Sequence, residues 1–183
     1  MGEPGIETEV KFRVPHLAAL RANVIARGGQ VTQPRHLERN VLFDDAERSL
    51  ARRGCLLRLR SALDTRLTLK APAPPNSGGD QHKRRVEHET TLGDYDTAFA
   101  ILSGLGYAPA WRYEKYRESF RLGEVTVSLD HTPIGDFIEI EGPAESIRPA
   151  AEQLALEWDQ RNLQTYRELF LEAGPGDRTD MTF

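Results

Sequence analysis

Cysteine is almost absent from this chain. Cys55 is the only one in 183 residues, which excludes an internal disulfide framework and a cysteine-based zinc site. Long apolar runs are missing too. None approaches the roughly 18 residues that a membrane helix needs, and no apolar signal-peptide core opens the sequence. A reducing, cytoplasmic location without a membrane partner is therefore expected. Neither sign of charge dominates: Lys and Arg number 24 against 28 Asp and Glu, a formal net charge of −4. Composition thus gives no reason to expect a nucleic-acid partner or attraction to an anionic membrane. No internal repeat is visible. The length predicts a single domain, drawn at residues 1–174, with 175–183 as a frayed tail.

What the sequence does have is alternation. In the stretch from Ile6 to Val14, the residues Ile6, Val10, Phe12 and Val14 interleave with Glu7, Glu9, Lys11 and Arg13. In a strand, all four charges fall on one face. Further strands are predicted at Val31–Phe43 (interrupted near Pro34), 55–61, 66–71, His82–Leu92, Ala108–Arg121, Glu124–His131 and Ile134–Gly142. Helices are predicted at His16–Arg27, from an Asp94 cap to about Leu105, at Ala144–Leu156 and at Leu163–Ala173, with a turn or short helix at Asp44–Arg53. Residues 72–81, rich in Pro and Gly, read as a long hairpin loop. About eight strands joined mostly by short turns, with helices outside, predict an α+β fold: a closed eight-stranded antiparallel β-barrel.

The opening alternation recurs. Arg58 and Arg60 share one parity, as do Thr68 and Lys70, then Lys83, Arg85, Glu87 and Glu89. Lys115, Arg117, Ser119 and Arg121 form another such set, followed by Thr126, Ser128 and Asp130, and by Glu139 and Glu141. In an ordinary small barrel the apolar faces fill the interior, which would leave these charges in water. Two features argue for the reverse. The amphipathic helices need apolar strand faces to cover, and both signs of charge recur on the same faces. Converging buried charges must be paired or bound to a ligand. An anion with several charges, held with a hard divalent cation such as Mg²⁺ or Mn²⁺, satisfies both sets.

Glu7-x-Glu9-x-Lys11 resembles the E-x-E-x-K signature of the CYTH, or triphosphate tunnel metalloenzyme, superfamily. The blocks L-R-L-R (57–60), T-L-K (68–70), R-V-E-H-E (85–89), E-K-Y-R (114–117), S-L-D (128–130) and I-E-I-E-G (138–142) follow in that family's order. The resemblance runs from Ile6 to about Leu171. It implies an eight-stranded antiparallel barrel around a tunnel. Lys11, Arg58, Arg60, Lys70, Lys115 and Arg117, with Arg85 as a further contact, would bind a small-molecule triphosphate such as tripolyphosphate, ATP or thiamine triphosphate. Glu7, Glu9, Asp130, Glu139 and Glu141, with Glu87 and Glu89 nearby, would hold metal. Glu7, Glu9, Glu139 and Glu141 would also be the catalytic carboxylates. The implied activity is a metal-dependent triphosphatase, with a class IV adenylyl cyclase and a non-catalytic polyphosphate or nucleotide binder as alternatives. A homodimer is compatible with the chain.

Several residues stand apart from this set. Arg13 and Arg121, at strand ends, are expected in solvent. Lys83 and Arg84, beside the loop, are read as a surface patch, with contact to an incoming anion as the alternative. Tyr113 and Tyr116 are read as packing residues, and Cys55 as a small core residue. His36, His82 and His88 lack metal-like spacing, and His88 faces outward by parity.

Overall fold

The computed structural model describes residues 5–74 and 81–183. Its strands are β1 (Gly5–Val14), β2 (Gln30–Asp44), β3 (Leu56–Ser61), β4 (Thr65–Pro72), β5 (Lys83–Leu92), β6 (Ala108–Leu122), β7 (Val125–Thr132) and β8 (Gly135–Glu141). Its helices are α1 (Leu17–Ala26), α2 (Ser49–Arg52), α3 (Tyr95–Gly104), α4 (Ala144–Gln153) and α5 (Tyr166–Glu172). A 3₁₀ turn at Trp158–Gln160 had no counterpart in the sequence reading. Of the predicted hairpin loop, residues 75–80 lie outside the described residues.

All neighbouring strands are antiparallel, in the order β1-β5-β4-β3-β2-β6-β7-β8, and β8 pairs back onto β1. The sheet is therefore a closed ring. The β6–β7 turn is Gly123-Glu124, with Gly123 at φ +57, a left-handed conformation that glycine adopts without steric cost. The irregularity predicted near Pro34 is a set of register shifts between Val31 and His36 within a continuous β2. A proline removes one ladder donor, and the strand absorbs the loss by bulging.

The apolar strand faces point outward under the helices. Val10, Phe12, Phe120, Val127, Ile138 and Ile140 are fully or almost fully buried against α1, α4 and Trp158. Val41, Phe43 and Leu59 pack under Ala98 and Leu102 of α3. The helices cover less than their spacing suggested, since Ile25 and Leu105 are exposed. Asp94 caps α3 as expected, its carboxylate accepting from Thr97 N at 2.7 Å. The last helix starts at Tyr166 rather than Leu163, because Thr165 and Glu168 close a reciprocal capping box there.

The tail corrects the expectation of fraying. β7 pairs with β6 only from Tyr116 onward, which leaves the first half of β6 without a neighbour on that side. The tail fills the gap: Met181 N donates to Arg112 O at 3.0 Å and Glu114 N donates to Met181 O at 2.8 Å. The Met181 side chain is fully buried among Trp111, Tyr113, Phe137 and Phe170. Met181→Ala is expected to destabilise the protein by about 2–5 kcal/mol, read as a lower urea midpoint. A loss below about 0.5 kcal/mol, the size of an ordinary surface change, would mean that the tail is not docked.

Candidate functional site

Directly opposed residues of an antiparallel pair project from the same face, so the register lays out the interior. Between β1 and β8, Glu9 faces Glu141 and Lys11 faces Glu139. Between β1 and β5, Glu7 faces Arg85 and Glu9 faces Lys83. Lys70 faces Glu87 and Thr68 faces Glu89 across β4–β5. Glu38 faces Lys115 across β2–β6, and Arg117 faces Asp130 across β6–β7. The ring encloses a cavity of about 710 Å³ whose wall includes Glu7, Glu9, Lys11, Arg58, Arg60, Lys70, Arg85, Glu87, Glu89, Lys115, Arg117, Glu139 and Glu141. Every residue assigned to the site from the sequence is on that wall except Asp130, which is buried completely behind it.

The interior charges pair with one another. Lys70 is bound to Glu7 and lies 3.3 Å from Glu87. Lys83 donates to Glu9 at 2.8 Å, and Lys11 lies 2.7 Å from Glu139. Arg117 forks onto Asp130, with Nε 2.7 Å from Oδ1, and also reaches Glu139. Asp130 further accepts from Lys115 Nζ at 3.0 Å and from the Tyr166 hydroxyl at 2.6 Å. Its lone pairs are thus committed to three donors, Lys115, Arg117 and Tyr166. Glu89 sits on the cationic wall, accepting from Arg66 at 2.5 Å and Thr68 at 2.8 Å, with Arg58 at 3.4 Å.

These neighbours set the acidities. Burial opposes ionisation of Glu9, but Lys83 and Lys11 outweigh it and hold its pKa down to about 2. Glu139 is likewise buried, and Lys11 and Arg117 hold it well below the usual range. Glu7 goes the other way: burial, with Glu9 and Glu87 close by, overcomes Lys70 and lifts it to about 7. Glu141 is also raised, first by burial and then by Glu9 and Glu139. It has no ion-pair partner among the described residues. Its exposed surface forms part of the cavity wall.

The structure adds residues that the sequence reading passed over. Glu38 is 1% exposed and takes Arg60 at 3.3 Å, Lys115 at 3.6 Å and His36 at 3.6 Å. Its parity with His36, Asn40 and Leu42 was available, but that mixed run does not read as charged alternation. Arg66 shares the parity of Thr68 and Lys70 and belongs to the site. Lys83, assigned to a surface patch, is the partner of Glu9. Tyr113 accepts from Arg58 Nη1 at 3.4 Å on the cavity wall while also packing in the aromatic cluster. Cys55, expected in the core, is half-buried and lines the cavity instead. Arg13 is outside the cavity: it donates to Ile134 O at 2.7 Å and lies over the Phe137 ring. Arg121 is exposed at the rim. His88 is exposed on the outer face as expected.

One end of the interior is aromatic. Trp111, Tyr113 and Phe137 face inward, and α5 lays Tyr166, Leu169 and Phe170 onto them. Burial and the nearby Asp130 and Glu139 push the Tyr166 phenol well above its ordinary pKa, so it acts as a donor to Asp130.

Carboxylates converging with lysines and arginines inside an antiparallel ring define a charged cavity suited to a polyanion. The CYTH domain family matches residues 5–177, and the chain belongs to that family. It is 29% identical over 135 residues to adenylate cyclase CyaB of Aeromonas hydrophila, covering 73% of this chain and 67% of that one. Its fold is shared with an adenylate cyclase candidate from Vibrio parahaemolyticus at TM-score 0.81 and 22% identity, over 92% of this chain and 99% of that one. It is also shared with a Hippeastrum protein described as an adenylyl cyclase candidate with a dominant triphosphatase activity, at TM-score 0.65 and 18% identity, over 92% and 96% of the two chains. No helix among the described residues is long and apolar enough to cross a membrane.

Proposed function

We propose that this protein is a divalent-metal-dependent triphosphatase that takes a small-molecule triphosphate into the charged interior of its barrel. The observation that carries this reading is the interior charge pairing. Lys11, Arg58, Arg60, Lys70, Lys115 and Arg117 are each paired with a carboxylate, while Arg85 donates to Gly54 O, so an entering polyanion and a cation can exchange for those pairs without leaving a charge uncompensated. Lys11, Arg58, Arg60, Lys70, Lys115 and Arg117 supply more than enough positive charge for a triphosphate, and the arginines can fork onto phosphate oxygens.

The acids of β1 and β8 suit Mg²⁺ or Mn²⁺. Their donors are carboxylate oxygens, Glu141 has no ion-pair partner among the described residues, and the pKa values of Glu7 and Glu141 are raised, first by burial and then by neighbouring carboxylates. Among the described residues no three such side chains now converge on one point, because Lys70 holds Glu7, Lys83 holds Glu9 and Lys11 holds Glu139. A bound metal would neutralise phosphate charge and polarise the phosphoryl oxygens. Glu7, Glu9, Glu139 and Glu141 would hold it once the lysines turn to phosphate. Glu38 and Asp130 keep Arg60, Lys115 and Arg117 in place. Whichever of Glu7, Glu9, Glu139 and Glu141 the metal leaves uncoordinated would accept the proton of the attacking water. Water adds to the terminal phosphorus, the bridging P–O bond breaks, and orthophosphate leaves with the remaining diphosphate, which is pyrophosphate when the substrate is tripolyphosphate.

The relative named as an adenylate cyclase favours a second reading, in which the 3′-hydroxyl of ATP attacks and cyclic AMP and pyrophosphate form. Tripolyphosphate, ATP and thiamine triphosphate supplied in parallel with Mg²⁺ or Mn²⁺ separate the two. Orthophosphate from tripolyphosphate and no cyclic AMP from ATP is expected. Cyclic AMP with stoichiometric pyrophosphate would establish the cyclase, and binding without turnover the non-catalytic binder. Within the site, Arg58→Ala is expected to raise KM for the preferred triphosphate about tenfold or more. An unchanged KM in steady-state assays would remove Arg58 from the binding wall.

A further inference from the structure

We infer that Tyr166 is a positioning residue that holds the two interior lysines, Lys11 and Lys115, for the substrate; this rests on the triphosphate reading above. The two lysines come from distant parts of the ring. β7 and β8 separate β6, which carries Lys115, from β1, which carries Lys11. One aromatic ring bridges them: Lys11 Nζ lies 4.6 Å and Lys115 Nζ 5.0 Å from the Tyr166 ring centroid. The hydroxyl of the same residue donates to Asp130 Oδ2 at 2.6 Å, and Asp130 also binds Lys115 and Arg117. Tyr166 is the first residue of α5, fixed by the Thr165–Glu168 capping box, and its ring packs edge-on against Phe137 at 5.5 Å.

The function follows from what each contact does when a polyanion arrives. A lysine side chain has several free torsions, and fixing it costs up to about 2 kcal/mol of rotamer entropy. The carboxylates Glu139, Glu38 and Asp130 now fix both lysines, but a phosphate competes directly with those carboxylates for the same ammonium protons. The ring of Tyr166 does not compete. It attracts an ammonium through its quadrupole and carries no net charge, so it can retain both lysines while their protons turn from carboxylate to phosphate. The aromatic contact therefore keeps the two cations at a fixed separation before and after the exchange.

The ring and the hydroxyl can be tested apart. In wild-type protein without ligand, NMR should show the ε-methylene protons of Lys11 and Lys115 shifted upfield by the Tyr166 ring current. Tyr166→Phe should keep those shifts and bind tripolyphosphate within about threefold of wild type by calorimetry. Tyr166→Leu should lose the shifts and weaken binding about tenfold, an effect of the size of one or two cation–π contacts, with KM rising more than kcat falls. Ordinary lysine shifts in the wild type, or wild-type affinity in a folded Tyr166→Leu protein, would overturn the inference. If the wild type binds no tripolyphosphate, the triphosphate reading fails, while the lysine shifts still report separately on whether the ring holds the two side chains.

Discussion

Glu141→Gln is expected to reduce turnover by about a thousandfold, the size expected when a group that stabilises developing charge is lost, and to leave the fold as stable as before. Most acids of this interior could not give so clean a result. Glu9 neutralises Lys83 and the buried Lys11, and Glu139 neutralises Lys11 and Arg117. Removing either leaves a cation unpaired, and breaking a buried pair costs about 3–5 kcal/mol. Glu141 has no such partner among the described residues, and its neighbours Glu9 and Glu139 disfavour its charge. Its neutral isostere should therefore fold at least as well. Unfolding in urea and steady-state turnover, measured on the same preparation, check both halves. Full activity would remove Glu141 from the reaction, and a large loss of stability would show that it has a structural partner.

The second large effect is on pH. The Glu7 carboxyl, ordinarily near 4.5, rises to about 7 in the folded protein because it is buried beside Glu9 and Glu87. Between these values the folded state holds the proton more tightly than the unfolded state, so stability falls as pH rises across that window. The contribution is up to about 3 kcal/mol in the protein without ligand. Glu9 has the opposite sign: held to about 2, it adds stability that is lost as pH falls from about 4.5 towards 2. The ligand-free protein should therefore be most stable near pH 4.5–5 on these two groups. Binding of Mg²⁺ requires Glu7 ionised, so metal affinity should increase up to about pH 7 and then level off, with proton release below that point. Urea midpoints and calorimetric Mg²⁺ titrations from pH 4 to 8 test this, and Glu7→Gln should flatten both profiles. A metal affinity independent of pH across the window would contradict the assignment of Glu7.

Much of this was legible because strand parity is rigid. Once Glu7, Glu9 and Lys11 alternate with Val10 and Phe12, the backbone fixes which residues share a face, and the other strands follow the same rule. What parity cannot supply is the direction of the face or the pairing across it. The outward choice came from the helices, which needed Val10, Phe12, Ile138 and Ile140 as a floor. Glu38 was obscured because its strand mixes histidine, asparagine and leucine with one acid, and because the register shifts near Pro34 break the pattern. Asp130 obeys parity, yet only the three-dimensional contacts reveal that Lys115, Arg117 and Tyr166 take up its carboxylate. The docked tail was illegible for a different reason: Met181 pairs with Arg112 and Glu114 about 70 residues away, a long-range match with no local signature. Tyr166 falls within the predicted Leu163–Ala173 helix, and nothing in Thr165–Phe170 signals that its ring meets Lys11 and Lys115.

The central claim is that the ring interior exchanges its own ion pairs for a triphosphate and a divalent cation. The most direct measurement is a crystal structure of the protein with tripolyphosphate and Mn²⁺, with manganese located by anomalous scattering. The account predicts manganese among Glu7, Glu9, Glu139 and Glu141, and phosphates against Lys11, Arg58, Lys115 and Arg117, with Lys70 and Lys83 turned away from Glu7 and Glu9. Manganese and phosphate found only outside the ring, with every interior ion pair intact, would contradict it.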